Sequence, residues 1–181
     1  MKWTYALPAV IPALLLGAFV MPKYVAAATS TGTLEVTASV VQKCNVSAPT
    51  LAFGNYDPVT VNAGAPLNGT TLAKFECTRG STGVYVTANT GQNGPHATGT
   101  CAVAKCTRAM SDGVGNYLSY DLYTDAARTN VWNTTNTDGH VYRPVFTSGR
   151  IQSATVYGQI PAAEDVPGGN YTDSVEMVIN F

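Results

Sequence analysis

Apolar and polar residues trade places at a period of two along this chain, in one short segment after another, and no window of eleven residues carries a helical stripe. In 33–41, Leu34, Val36, Ala38 and Val40 share one face, and Thr33, Glu35, Thr37 and Ser39 the other. In 71–78, Ala73, Phe75 and Cys77 oppose Lys74 and Glu76. Val84, Val86 and Ala88 mark another strand, and 117–123, 154–160 and 171–181 repeat the pattern. In 117–123 the shared face is Leu118, Tyr120 and Leu122; in 171–181 it is Val175, Met177, Ile179 and Phe181. Segments 131–132 and 141–146 are weaker strands, and 45–58 is short and turn-rich, with Leu51 and Phe53 before Gly54 and Pro58. Gly, Asn and Pro make 90–99 a loop, and Pro167-Gly168-Gly169-Asn170 is a turn. About eight short strands with turns between them predict a single all-β domain, an antiparallel sandwich.

Composition narrows the function. Charged residues are 12% of the chain, about half the usual share for soluble domains. Ten basic against eleven acidic side chains offer no footprint for nucleic acid or an anionic membrane. No G-x-S-x-G, P-loop, H-E-x-x-H or G-x-G-x-x-G pattern is present. The two histidines, His96 in a Gly/Pro loop and His140 after Asp138-Gly139, read as solvated loop residues. Two carboxylate pairs, Glu164-Asp165 and Asp121 with Asp125, can be posed for glycoside hydrolysis. The first reads as a solvated loop, the second as a polar strand face and the turn after it. The sequence therefore predicts no catalytic residue, no metal and no cofactor.

Lys2, the apolar run from Ala6 to Val20 and the small residues Ala26-Ala27-Ala28 read as a secretory signal peptide cut after Ala28. The run is broken by Pro8 and Pro12 and is short for a membrane span. Cleavage would remove Lys2 and Lys23 and leave eight basic against eleven acidic side chains. Export makes Cys44, Cys77, Cys101 and Cys106 candidates for disulfides. Of the three possible pairings we favour Cys44–Cys77 and Cys101–Cys106. The first would close a long loop worth about 3–4 kcal/mol in the chain-entropy model. A four-thiolate metal site lacks the paired C-x2-C spacing that zinc uses.

Two strands lie in odd places. The cleanest alternating segment, 33–41, follows closely on the cleavage site, and the apolar strand 171–181 runs to the last residue of the sequence. A strand with a face to bury must pair, either within its own sheet or with another molecule.

The pieces Gly32-Thr33-Leu34-Glu35-Val36, Leu51-Ala52-Phe53-Gly54 with Tyr56-Asp57-Pro58, and Phe75-Glu76-Cys77-Thr78 occur in order along the chain. They are followed by Leu118-Ser119-Tyr120-Asp121-Leu122-Tyr123-Thr124-Asp125 and Trp132, then Val156-Tyr157-Gly158-Gln159-Ile160-Pro161, then Pro167-Gly168-Gly169-Asn170-Tyr171-Thr172-Asp173. In these the sequence resembles the spore coat protein U domain family, and more closely archaic chaperone–usher pilins of the Csu type. The Cys101–Cys106 loop is not general to that family.

The resemblance implies an incomplete immunoglobulin-like antiparallel β-sandwich with an N-terminal donor strand. It implies a signal peptide at 1–28, a donor segment at 29–42 and a pilin domain at 43–181. The donor plugs are then Leu34, Val36, Ala38 and Val40. The acceptor groove is lined in part by Val175, Met177, Ile179 and Phe181. The implied partners are neighbouring subunits in a head-to-tail polymer, a periplasmic chaperone and an outer-membrane usher. The implied location is the periplasm and then the cell-surface pilus, with attachment and biofilm formation as its use. A chain that both donates and accepts reads as a shaft or linking subunit rather than a tip. Two other readings compete. One is a carbohydrate-binding sandwich, using ten Tyr and Trp132 as stacking surface; the other is a secreted coat protein of the same fold without a chaperone. Asn45, Asn68, Asn133 and Asn170 lie in N-x-S/T sequons and are expected to be unmodified.

Overall fold

The computed structural model describes residues 26–181 apart from Pro49 and Asp138, so most of the expected signal peptide lies outside the described residues. The chain divides into two units, residues 1–38 and 39–181. Of the first, 26–38 carry no strand, and Leu34 and Val36 are 84% and 82% exposed. The expectation of a half-buried strand over 33–41 is therefore corrected: residues 26–43 form no ladder and are exposed throughout. Alternation specifies which face a strand would bury, but only a partner strand makes a ladder.

The second unit is built from seven strands: β1 (Cys44–Ser47), β2 (Leu67–Cys77), β3 (Tyr85–Ala88), β4 (Arg108–Ser111), β5 (Tyr117–Tyr123), β6 (Ile151–Ile160) and β7 (Met177–Asn180). All pairings are antiparallel. One sheet runs β1-β2-β6-β5-β4, and β3 pairs with β7 in the other. A single 3-10 turn, Gly94–His96, stands in the predicted loop. Segment 141–146, expected as a weak strand, contributes one isolated bridge, Val86 to Tyr142.

The core lies between the sheets. Phe75, Val86, Trp132, Phe146 and Ile160 are almost wholly buried. β2 behaves as its sequence dictates: Ala73, Phe75 and Cys77 point inward, while Lys74 and Glu76 face solvent. Both expected disulfides are present, Cys44–Cys77 and Cys101–Cys106. The first joins register partners of β1 and β2. The second closes a small loop over Ala97 and Ala109.

β5 departs from the pattern. Leu118 to Tyr123 are all buried, Ser119 and Asp121 included. The reason is a cover of chain on the polar face. Ser119 Oγ accepts the amides of Thr98 and Gly99, and the Ser119 amide donates to Glu164. Asp121 accepts the amide and hydroxyl of Thr107 and pairs with Arg108 at 2.6 Å, both side chains 1% exposed. Arg108 also donates to the carbonyls of Ala88, Asn89 and Trp132. One guanidinium thus fastens the end of β3 to β4 and β5. Asp121 is accordingly a structural counter-ion, not part of a solvated polar face.

Candidate functional site

Above β4, β5 and β6 lies an open cleft of about 1170 Å³. Its floor is apolar: Met110, Leu118, Leu122, Val156 and Ile160, with Tyr120 among them. One flank is the chain leaving β1, with Leu51, Phe53 and Tyr56; the other is the chain entering β7, with Tyr171, Val175 and Met177.

Each flank is extended chain with a local cause. On the first, Leu51 and Phe53 turn inward and alternate with exposed Ala52 and Gly54. They sit over Gly69 and Gly158, which are register partners in β2 and β6. A Cβ at Gly158 would stand 2.5 Å from Leu51 Cδ2 and 2.7 Å from Phe53 Cζ, and one at Gly69 would stand 3.0 Å from Phe53 Cδ1. The two glycines open a flat seat that no other residue could leave vacant. Phe53 also meets the edge of Tyr120 at 6.0 Å. At the far end of this flank the Tyr56 hydroxyl donates to Pro161 O at 2.7 Å and accepts the Glu164 amide. Glu164 is thus a bonded loop anchor rather than a solvated carboxylate.

On the second flank the period is again two. Tyr171, Asp173, Val175 and Met177 are half-buried, while Thr172, Ser174 and Glu176 are exposed. Thr172 exchanges two backbone hydrogen bonds with Ser111, and Glu176 O accepts from Asn89. Asp173 is held by its side chain, which accepts from the Gln92 amide and, at 2.7 Å, from the Tyr120 hydroxyl. Burial, and then that bond to a carboxylate, push the Tyr120 hydroxyl far above the ordinary tyrosine range.

The backbone along the cleft is not fully paired. Among the described residues, Thr50 to Asn55 enter no backbone–backbone hydrogen bond, and neither do Asp173 and Val175. An apolar trough flanked by unpaired backbone is the geometry that strand addition uses. Left open, it is a surface on which proteins aggregate.

The four residues expected along an acceptor groove divide. Val175 and Met177 line the cleft; Ile179 packs against the core, and Phe181 is 58% exposed beyond β7. Of the four residues expected as donor plugs, Leu34, Val36 and Val40 are more than four-fifths exposed, and Ala38 is also exposed. Sequence reasoning missed most of the cleft, namely Leu51, Phe53 and the floor from β4, β5 and β6. The signal for the seat, two glycines inside strands, was present but undirected until the register paired them.

The candidates for other chemistry are placed elsewhere. Trp132 is fully buried and donates its indole N–H to Val86 O, so it is core and not a stacking platform. His96 stacks on Tyr117 at 3.9 Å. Asp125 binds the amides of Thr129 and Asn130 in a turn, whereas Asp121 is buried against Arg108. Among the described residues, no group of three or more His, Cys, Asp or Glu side chains is disposed to hold a metal ion. No helix among them is long and apolar enough to cross a membrane.

Comparison with known proteins places this architecture. In fold, the chain is similar to one in the crystal structure of the CsuC–CsuE chaperone–tip adhesion subunit pre-assembly complex, from archaic chaperone-usher Csu pili of Acinetobacter baumannii. The TM-score is 0.51 at 19% identity, over 78% of this chain and 40% of that one. The chain spans less than half the length of that neighbour, and the likeness is one of fold. "Protein U" of Myxococcus xanthus is 37% identical over 161 residues, covering 86% of this chain and 87% of that protein. The family model for the Spore Coat Protein U domain matches residues 30–178. With a relative of that identity across most of both chains, the chain belongs to the Spore Coat Protein U domain family.

Proposed function

We propose that this chain is a non-enzymatic structural subunit of a chaperone–usher pilus that polymerises by donor-strand complementation. The observation that carries the reading is the cleft. It is apolar, bordered by unpaired backbone, and belongs to a chain that also carries an alternating segment with no ladder of its own. Residues 29–42 of one copy fill the cleft in the domain 43–181 of the next. Leu34, Val36, Ala38 and Val40 enter it, and Val175 and Met177 line part of it. Each Leu or Val so buried contributes about 1.5–3 kcal/mol, and Ala less. The donor backbone satisfies groups on both flanks that would otherwise lack partners. The contact is head-to-tail, so it propagates as a filament rather than closing as a dimer.

Before assembly the same cleft needs a substitute strand, the role of a periplasmic chaperone, and an outer-membrane usher exchanges one strand for the other. The product is a cell-surface fibre serving attachment and biofilm formation, with this chain as a shaft or linking subunit. The fold shared with a subunit complex of Csu pili supports this assignment. The test is Leu34→Asp or Val36→Asp in the full chain. Such variants should fold and bind the chaperone but fail to cap a neighbour; normal polymerisation would refute the donor assignment. A second reading, a secreted coat protein of the same fold without chaperone–usher assembly, takes its support from the family description and the M. xanthus relative. It predicts that chains are exported and function with residues 29–42 removed.

A further inference from the structure

Unit 39–181 carries a cluster of basic side chains at one end and a cluster of acidic side chains at the other. At one end β1 begins, β2 finishes and β6 begins. Lys43, Arg79 and Arg150 stand there, all exposed. Segments 39–47, 78–84 and 144–150 contain no Asp or Glu. A neighbouring carboxylate, Glu76, is engaged by Arg150 at 3.2 Å. At the opposite end β2 begins, β6 finishes and the β4–β5 hairpin turns. Asp57, Asp112, Glu164 and Asp165 stand there, and segments 50–66, 112–118 and 161–176 contain no Lys or Arg. Two of these carboxylates are fixed by their own loops: Asp57 accepts the amides of Val59 and Thr60, and Asp112 those of Val114 and Asn116.

Chain direction gives this polarity a consequence. Residue 42 ends the proposed donor, and Lys43 begins the basic end. A donor lying in a second copy's cleft therefore brings its own basic end to the place where it leaves that cleft. The flank 171–181 runs from the acidic end, where Thr172 bridges Ser111, towards the basic end, where Asn180 stands opposite Tyr85. Exit at the acidic end sets basic against acidic, and the donor then runs antiparallel to 171–181. Exit at the other end would set basic against basic.

We propose that successive copies meet end to end by charge. The Lys43, Arg79 and Arg150 end of one seats on the Asp57, Asp112 and Asp165 end of the next, and this match sets the direction in which the strand is laid. The inference rests on the strand-donation reading above. Charges at the rim of an interface act chiefly on association rate and its salt dependence, and are screened beyond about 8 Å at physiological ionic strength.

The test is fibre growth by the full chain, followed by light scattering and sedimentation at low and high salt. Four proteins are compared: the native sequence, Lys43→Glu with Arg79→Glu, Asp165→Lys with Val114→Lys, and all four changes together. Val114 is 84% exposed at the hairpin tip. Each pair alone should slow growth by about tenfold or more at low salt, and the four together should restore it. High salt should slow the native chain and erase the differences. Fibres that grow at one rate in all four proteins and at both salts overturn the charge match while leaving strand donation intact. A parallel Leu34→Asp chain that grows at the native rate overturns strand donation, and this inference with it.

Discussion

Replacing Gly158 with Ala tests whether Leu51 and Phe53 are seated as described. The new Cβ would stand 2.5 Å from Leu51 Cδ2 and 2.7 and 2.9 Å from Phe53 Cζ and Cε1, so both side chains must lift. Such overpacking costs about 1–3 kcal/mol, while Ala in place of a strand Gly returns about 0.5–1 kcal/mol. Taking the middle of each range, the net loss is about 1 kcal/mol, or a fall of roughly 2–4 °C in Tm for a domain of this size. Gly69→Ala is the graded control, because its closest contact is 3.0 Å; it should cost less. Gly149→Ala, with nothing within 4 Å, should be neutral. Differential scanning calorimetry of the three variants reads the order directly. A Gly158→Ala chain as stable as the native one, or less harmed than Gly69→Ala, would refute the seating. Because Leu51 and Phe53 line the cleft, the same variant should also polymerise more slowly.

Three further outcomes are expected. Arg108→Met strands the Asp121 carboxylate and three carbonyls in the core and should cost about 3–5 kcal/mol in urea unfolding. Cys44→Ser with Cys77→Ser opens a 33-residue loop and should lose about 3–4 kcal/mol; an unchanged melting curve would count against that bridge's role. The Tyr120 hydroxyl has a raised pKa in the folded state, first from burial and then from Asp173, so its contribution to stability is complete below the unfolded tyrosine pKa of about 10 and is lost as pH rises beyond it. Tyr120→Phe should flatten that alkaline decline in a pH series of thermal melts.

The strands that were legible in the sequence are those whose own residues carry the pattern. β5, at Tyr117–Tyr123, matches its expected segment, and β2 buries the face its alternation marks. β4 was not foreseen, since Arg108 and Ser111 give it no apolar alternation; a buried ion pair and the hairpin to β5 place it instead. Segment 171–181 shortened to Met177–Asn180 for the opposite reason: its residues alternate, but among the described residues its backbone before Met177 is hydrogen-bonded to other backbone only at Thr172 and Glu176. The same limit applies to 33–41. Pattern records which side chains a strand can bury, whereas pairing depends on what lies beside it. Of the cleft, Val175 and Met177 were legible. Its floor and first flank depend on long-range register, above all the pairing of Gly69 with Gly158, which no local signal encodes.

Strand donation between copies is tested most directly by mixing two full-length chains, one with Val36→Cys and the other with Val175→Cys, and separating the products under non-reducing conditions. Donation predicts a covalent pair containing one of each, formed as fibres grow and abolished by Leu34→Asp in the first chain. Fibres that grow without that cross-link would contradict it.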